Sequence, residues 1–342
     1  MSPSLLHASG LVVLANGAKR IRPPDRLSTG RETKRWQDGM VSATYLISGA
    51  GGGIGSVSRR VVQLLLEDGA PVRAMVHSDD ERADQLRAMG AEVIVGDLTR
   101  AADIADAIAG VQRMFFNMSV SPDYLRATTE VCAVALDRGR LDAIVNMSQM
   151  TVSQMTLTST DESNQHRLHW LAEHVLNWSG LPVIHVRPTT FLDNPLFTML
   201  AKKGLRERGV LALPFGTGRT SPVTADDVAR VVAALLRDPT DRIGGVVELT
   251  GPEVLDIDGL AEQYGRALNR PITGQDVALD VWDRDVLGPV GLSDHVRQHI
   301  ATMARLHRNG RYDRTTHDVE QITGRPAQTV EQYVAANPHL FY

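Results

Sequence analysis

The stretch that most limits what this chain can fold into is Ser48-Gly49-Ala50-Gly51-Gly52-Gly53-Ile54-Gly55. Ahead of it, 43–48 reads as a short buried strand. Behind it, Ile54, Val57, Val61, Leu64 and Leu65 recur at helical spacing. Strand, glycine-rich turn and helix in that order form the first half of a dinucleotide-binding unit. Gly49 supplies a tight turn, Gly52 lets a pyrophosphate approach the backbone, and Gly55 lets the helix pack on the strand, with Gly53 and Ile54 completing the loop. The helix N-terminus then offers free N–H groups and a partial positive charge to the phosphates. The spacing is G-x-x-G-x-x-G, not the G-x-G-x-x-G of many dehydrogenases. A plain turn can carry the same glycines, and it is the flanking strand and helix that favour a nucleotide.

From residue 41 the chain alternates strand and helix with short connections. Strands are expected at 71–76, 92–95, 111–117, 141–147 and 182–186, and helices at 81–89, 103–109, 122–138 and 161–179. Such alternation predicts an α/β fold, a doubly wound parallel sheet covered on both faces. Its ligand belongs beyond the carboxyl ends of the strands. That rule selects Gly49–Gly55, His77–Ser78, Asp97–Leu98, Asn117–Ser119, Met147–Met150 and Pro188–Phe191. A length of 342 residues calls for an extra lobe or a second domain. A net charge of −4 makes no case for nucleic acid or a membrane as partner, and no run approaches the ~20 apolar residues of a membrane span. The one cysteine, Cys132, excludes an internal disulfide and reads as a packed thiol, so a cytoplasmic protein is expected. Residues 1–40 stand apart, with seven Lys/Arg, three Asp/Glu and Pro23-Pro24. They are expected to be a disordered extension or a misassigned start.

The later segments carry a resemblance. Gly96-Asp97-Leu98, Asn146-Met147-Ser148, the run 179–194, P-V-T-A-D-D-V-A at 222–229, L-T-G-P-E at 249–253 and 323–334 resemble the NmrA-like group of the atypical short-chain dehydrogenase/reductase superfamily. The likeness covers roughly 41–342. It implies a Rossmann-like domain over 41–190 and a smaller carboxy-terminal lobe over 191–342, with about 221–250 packing back on the first domain. Members bind NADP(H) or NAD(H). Some reduce quinones, azo compounds or carbonyls, and others sense nucleotides and regulate a partner protein. By resemblance, His77 and Ser78 help choose the cofactor, Asp97 and Leu98 meet the adenine, and Asn117, Met118 and Ser119 lie near the nicotinamide ribose. Phe191 and Asn194 become pocket walls, and Phe197 and Phe215 sit where the lobe meets the cofactor. Thr224-Ala225-Asp226-Asp227 starts a helix through a side-chain cap.

Reductases of this superfamily commonly carry a proton-donating tyrosine and, four residues on, a lysine that holds the ribose. Aligned on Glu173 and Ser179-Gly180-Leu181, the pattern puts Gln165 at the tyrosine position and His169 at the lysine position. Glutamine is no acid, so the usual pair is absent. Two readings stay open. The chain is an oxidoreductase of a small apolar acceptor, its proton coming from water, His169 or His166; or it binds the dinucleotide without turnover and reports its redox state to a partner. His169 and Ser148 are the catalytic candidates, His169 also as a ribose contact, while His166 and His169 as solvated helix residues remain an alternative. Met150 and Gln165 join the substrate candidates, with Met147, Val152 and Met155 as pocket or core. His169 and Glu173 read as a helix-surface pair, and Arg305, Arg308, Arg311 and Arg314 with His307 as a solvated face. No metal-ligand spacing is present. With Val76-His77-Ser78 where NAD-selective sites place a carboxylate, NADP(H) is favoured and NAD(H) possible; Asp79 and Asp80 oppose that preference.

Overall fold

The computed structural model describes residues 44–52, 57–139 and 141–342, so the expectation for residues 1–40 lies outside them. Among the described residues, seven strands form one sheet: β1 (Tyr45–Ile47), β2 (Val72–Val76), β3 (Glu92–Val95), β4 (Arg113–Phe116), β5 (Ala143–Met147), β6 (Val183–Pro188) and β8 (Val246–Leu249). Their order is β3-β2-β1-β4-β5-β6-β8, and every neighbouring pair is parallel. Near-continuous apolar runs such as Ala-Ile-Val in β5 suit strands covered on both faces. The helices α1 (Val57–Glu67), α2 (Glu81–Ala88), α3 (Ala101–Ile108), α4 (Tyr124–Arg138), α5 (Asn164–Ser179) and α7 (Ala225–Arg237) provide that cover. This is the Rossmann-like doubly wound sheet expected from the sequence. The chain leaves β1 toward one edge and β4 toward the other, which opens a crevice at their carboxyl ends.

Each face has its own core. On one, Val61, Val62 and Leu65 of α1 meet Val228, Val232 and Leu235 of α7. Helix α7 therefore packs on α1, although α1 ends at Glu67 and α7 begins only at Ala225. Thr224 starts it by accepting a hydrogen bond from the Asp227 amide at 3.1 Å, as the four-residue motif led us to expect. On the other face, α3, α4 and α5 bury Ile104, Val131, Ala172 and Leu176, with Cys132 a buried free thiol among them.

The remaining elements build a lobe with a separate core: α6 (Met199–Arg208), β7 (Val210–Leu213), α8 (Ile257–Leu268), β9 (Thr273–Asp276), α9 (Leu279–Trp282), α10 (Asp294–Arg308) and α12 (Val330–Ala336). The short α11 (Asp318–Thr323) packs instead on the sheet side through Val319. Strands β7 and β9 pair in parallel. Phe197 and Phe215 are fully buried in this core, which corrects the expectation that they face the cofactor.

The carboxy-terminal arginines are not a solvated face either. Arg305 reaches Asp161, Arg308 reaches Asp276 at 2.6 Å, Arg311 reaches Glu162 at 2.8 Å, and Arg314 pairs with Glu248. Each strap joins α10 or the turn after it to another element. The spacing of charges along the sequence could not show partners 32 to 149 residues away.

His307 is buried between the rings of Phe215 and Tyr312, at 4.1 and 3.9 Å between centroids. Its Nδ1–H donates to the Met303 carbonyl at 2.7 Å. Burial pushes its pKa from the ordinary 6.5 down to about 3. Between those two values the unfolded chain takes a proton there and the folded chain does not, so stability falls as pH drops from 6.5 toward 3. His307→Gln is expected to flatten that fall by about 1.4 kcal/mol per pH unit, read as the difference in urea-unfolding free energy between variant and wild type from pH 6 to 4. Parallel curves would show that His307 does not carry this linkage.

Candidate functional site

At the crevice, one hydroxyl ties the two diverging strands together. Ser48, just past β1, accepts a hydrogen bond from the Asn117 amide and reaches the Asn117 carbonyl, both at 2.9 Å. The Asn117 side-chain amide donates to Ser58 Oγ at 2.9 Å, and that hydroxyl donates to the Ser48 carbonyl at 2.8 Å. So β1, β4 and the first turn of α1 share one polar bracket. Gly49 sits inside it at φ +67°, and a Cβ there would stand 2.7 Å from the Asn117 carbonyl oxygen. A side chain is excluded on both counts. Gly52 closes the turn through its amide to the Gly49 carbonyl at 3.0 Å. Gly53, Ile54 and Gly55 lie outside the described residues.

A cavity of about 400 Å³ opens from this bracket. Gly49, Gly52, Asn117, Met118 and Ser119 line its near end. The ends of β5 and β6 supply Met147, Ser148, Met150, Thr151, Thr189 and Phe191, and Asn194 follows. Helix α10 covers it with Val296, His299, Ile300 and Met303, one face of the helix at i, i+3, i+4 and i+7. Among the described lining residues there is no Asp, Glu, Lys or Arg. Burial pushes His169 and His299 down to about 3 and the Tyr312 phenol well up, so the walls are uncharged at neutral pH. Four polar atoms of the lining are buried without a partner: Ser148 Oγ, Thr151 Oγ1, Thr189 Oγ1 and His169 Nδ1. Buried groups of that kind call for a ligand or a water to satisfy them.

The structure thus gathers most of the expected site around one space: Gly49, Gly52, Asn117, Met118, Ser119, Ser148, Met150, His169, Phe191 and Asn194. It leaves out Gln165, a correction to its reading as a substrate contact. Gln165 is fully buried one layer behind His169, held by Ser121 and His295. His166 and His169 are buried as well, not solvated, and His169 does not titrate near neutral pH as its intrinsic value suggested. Nor does His169 pair with Glu173 on a helix surface. Glu173 is buried and takes two hydrogen bonds from Arg187 of β6, at 2.9 and 2.5 Å. Val152 and Met155 are core beside the cavity and not lining it. Among the described residues, no cluster of His, Cys, Asp or Glu could hold a metal ion, and no helix is long and apolar enough to cross a membrane.

His77, Ser78, Asp97 and Leu98 lie outside the cavity, at the carboxyl ends of β2 and β3. Asp97 Oδ1 accepts from the Thr99 amide and hydroxyl, both at 2.8 Å, which holds its carboxyl below the usual range. His77 and Ser78 are exposed. Asp79 and Asp80 are both occupied, Asp79 by Arg87 at 2.7 Å and Asp80 by Arg82. Asp80 also caps α2, and the Arg82 bond holds its carboxyl down at about 2. Arg82 then donates to the Gly51 carbonyl at 2.7 Å, so a guanidinium spans the β2–α2 turn and the glycine loop. Sequence reading missed Arg82 because its neighbour 31 residues back is set by the parallel pairing of β1 and β2. Arg73 points away, donating to the Ala107 and Ala109 carbonyls at 2.7 Å. Helix α10 was missed too, since its amphipathic spacing shows a buried face but not what that face covers.

Known proteins are similar to this chain in sequence or fold. An NAD(P)H azoreductase of Xenophilus azovorans is 26% identical over 295 residues, 85% of this chain and 97% of that protein. The structure of an NADPH-dependent quinone oxidoreductase of Escherichia coli, complexed with NADPH, superposes with a TM-score of 0.73 at 21% identity, over 87% of this chain and all of that one. NmrA, a negative transcriptional regulator in complex with NADP, does so with a TM-score of 0.72 at 18% identity, over 86% of this chain and 94% of that one. The NmrA-like resemblance read from the sequence is therefore borne out in the fold. The family model described as NAD(P)H-binding matches residues 49–239, more than half of the chain, and the chain belongs to that NAD(P)H-binding family.

Proposed function

We propose that this chain is a cytoplasmic reductase that transfers a hydride from NADPH to a small, apolar, uncharged acceptor of quinone, azo or enone/carbonyl type. The observation that carries this reading is the cavity itself, which starts at the glycine loop and continues into an uncharged space under α10. A dinucleotide fits the residues present. A Cβ at Gly49 would clash with the Asn117 carbonyl, Gly52 keeps the loop low, and four buried polar atoms await partners. Gly49, Gly52 and the N-terminus of α1 would hold the pyrophosphate. Asp97 with Leu98 would meet the adenine, and Met118, Ser119 and His169 the nicotinamide ribose. The bound cofactor supplies the hydride.

The chain's own groups define the rest. Ser148, Thr151 and Thr189 offer hydroxyls that orient an acceptor oxygen or the cofactor amide. Met150, Phe191, Asn194 and Met303 form walls adaptable to a flat apolar molecule. No cationic side chain of the described lining is present to hold a carboxylate or phosphate on the acceptor. With Gln165 in the tyrosine position and a neutral His169, no lining group is a ready acid at pH 7. An acceptor whose reduced form is stable as an anion, or that takes its proton from water, meets that condition. The azoreductase and quinone oxidoreductase relatives act on acceptors of the classes named.

The missing acid also favours a second reading, in which the nucleotide is bound without turnover and its redox state regulates a partner, as the likeness to the regulator NmrA suggests. Purified protein with NADPH and a panel of quinones, azo dyes and enones separates the two. Steady NADPH oxidation with at least one acceptor is expected. No turnover with any acceptor, together with a partner whose affinity differs between reduced and oxidised cofactor, would establish the sensor instead.

NADPH is favoured over NADH because Arg82, bonded to the Gly51 carbonyl, puts a cation between the glycine loop and the β2–α2 turn, while Asp79 and Asp80 are already paired. Arg82→Ala is expected to weaken NADPH about tenfold and NADH under twofold in calorimetric titration. Equal losses for both would remove Arg82 from cofactor choice.

A further inference from the structure

Gln165 and His169 stand one turn apart on α5 and touch through their side-chain nitrogens, Nε2 to Nε2, at 3.1 Å. Which of the two donates can be worked out from a third group. The Ser121 backbone N–H is a donor and nothing else, and it points at Gln165 Oε1 from 3.2 Å. His295 Nε2, from α10, meets the same oxygen at 2.8 Å and so carries its hydrogen on that nitrogen. These two donors fix which end of the Gln165 amide is oxygen. The end facing His169 is then the NH2, which has hydrogens to give and accepts none. His169 Nε2 must therefore be the acceptor. Burial keeps the His169 ring neutral, so it holds one hydrogen. With Nε2 accepting, that hydrogen is on Nδ1, the buried atom that has no partner in the protein and belongs to a residue lining the cavity.

We propose that Gln165 is a positioning residue that locks His169 as the Nδ1–H tautomer, so that the ring presents one neutral hydrogen-bond donor to an oxygen of the bound dinucleotide. The opposite tautomer would set two N–H groups against each other across 3.1 Å and leave the buried Nδ1 with a bare lone pair. The lock has a second anchor in the carboxy-terminal lobe. His295 sits on α10, which is held against the start of α5 by Ser163 Oγ to His299 Nδ1 at 2.8 Å and by the Asn164 amide to Gln298 Oε1 at 3.2 Å. Seating of α10 and the form of His169 are thereby linked through one amide. A glutamine at the tyrosine position thus has a task of its own. It gives no proton and decides where the neighbouring ring keeps its hydrogen.

This inference rests on the dinucleotide site proposed above but not on turnover. It is tested on the full chain labelled with 15N at histidine, by long-range proton–nitrogen correlation, with His169 assigned from its loss in His169→Asn. Without ligand, a hydrogen-bearing Nδ1 and a bare Nε2 are expected; the reverse pattern overturns the proposal. Gln165→Met keeps the length of the side chain and removes the amide, and should leave His169 as a mixture of tautomers. A wild-type pattern in that variant removes Gln165 as the lock, and the wild-type spectrum decides alone if the variant does not fold. Saturating NADPH should shift the His169 Nδ1 signal of the wild type, and bound NADPH that leaves it unmoved overturns the donor role. The wrong tautomer in the free protein fells this inference only, whereas failure of the wild type to bind NADPH fells the function proposed above and the donor role with it.

Discussion

The site depends on the bracket that Ser48 makes with Asn117. Two parallel strands whose chains run off in opposite directions have nothing beyond their ends to hold them in register. Here the Ser48 hydroxyl engages both backbone groups of Asn117, and the Asn117 side chain passes the tie on to Ser58 in the first turn of α1. The bracket sets the residue types around it. Gly49 must lack a side chain because the Asn117 carbonyl occupies that space, and Ser58 must carry a hydroxyl at a position otherwise suited to an apolar residue. The backbone groups of Asn117 and its side-chain NH2 are engaged in this bracket, and Met118 and Ser119 continue the cavity lining beside it.

Around the bracket the protein separates charge from the place where chemistry would occur. The Glu173–Arg187 pair is buried beneath the sheet ends with Glu248 and Arg314 adjoining, while the cavity walls are apolar or neutral. Breaking one member of such a buried pair strands its partner at a cost of about 3–5 kcal/mol, so these charges fix the scaffold and stay out of the reaction. The lining instead holds hydroxyls and depressed histidines. A space of that kind suits a neutral flat acceptor and a dinucleotide whose reactive end is shielded from water. It does not suit an anionic substrate.

Much of this was legible in the amino-acid sequence, and what was not has a common cause. The described part of the glycine loop, Gly49 to Gly52, the strand–helix alternation and the Thr224 cap are local patterns with a period or a spacing, and each was found where it was expected. The ends of β4, β5 and β6 followed from one topological rule, which brought Asn117, Ser148 and Phe191 to the same cavity. The failures are pairings between distant residues. Arg305 to Arg314 look like a solvated basic run until Asp161, Glu162, Glu248 and Asp276 are folded against them. His169 and Glu173 look like surface neighbours until α4 and β6 bury them. The roles of Arg82 at the glycine loop and of α10 over the cavity could not be read locally, because their meaning lies in what they touch.

If the crevice above β1 and β4 is where the dinucleotide lies, Gly52 is the residue that tests it most directly. Gly52 keeps its turn closed with the Gly49 carbonyl only 3.1 Å from where a Cβ would be, at the mouth of the cavity. Calorimetric titration of NADPH into the wild type and into folded Gly52→Val should show affinity lower by at least about tenfold, or about 1.4 kcal/mol, in the variant. Equal affinity in the two proteins would place the nucleotide elsewhere and contradict the account.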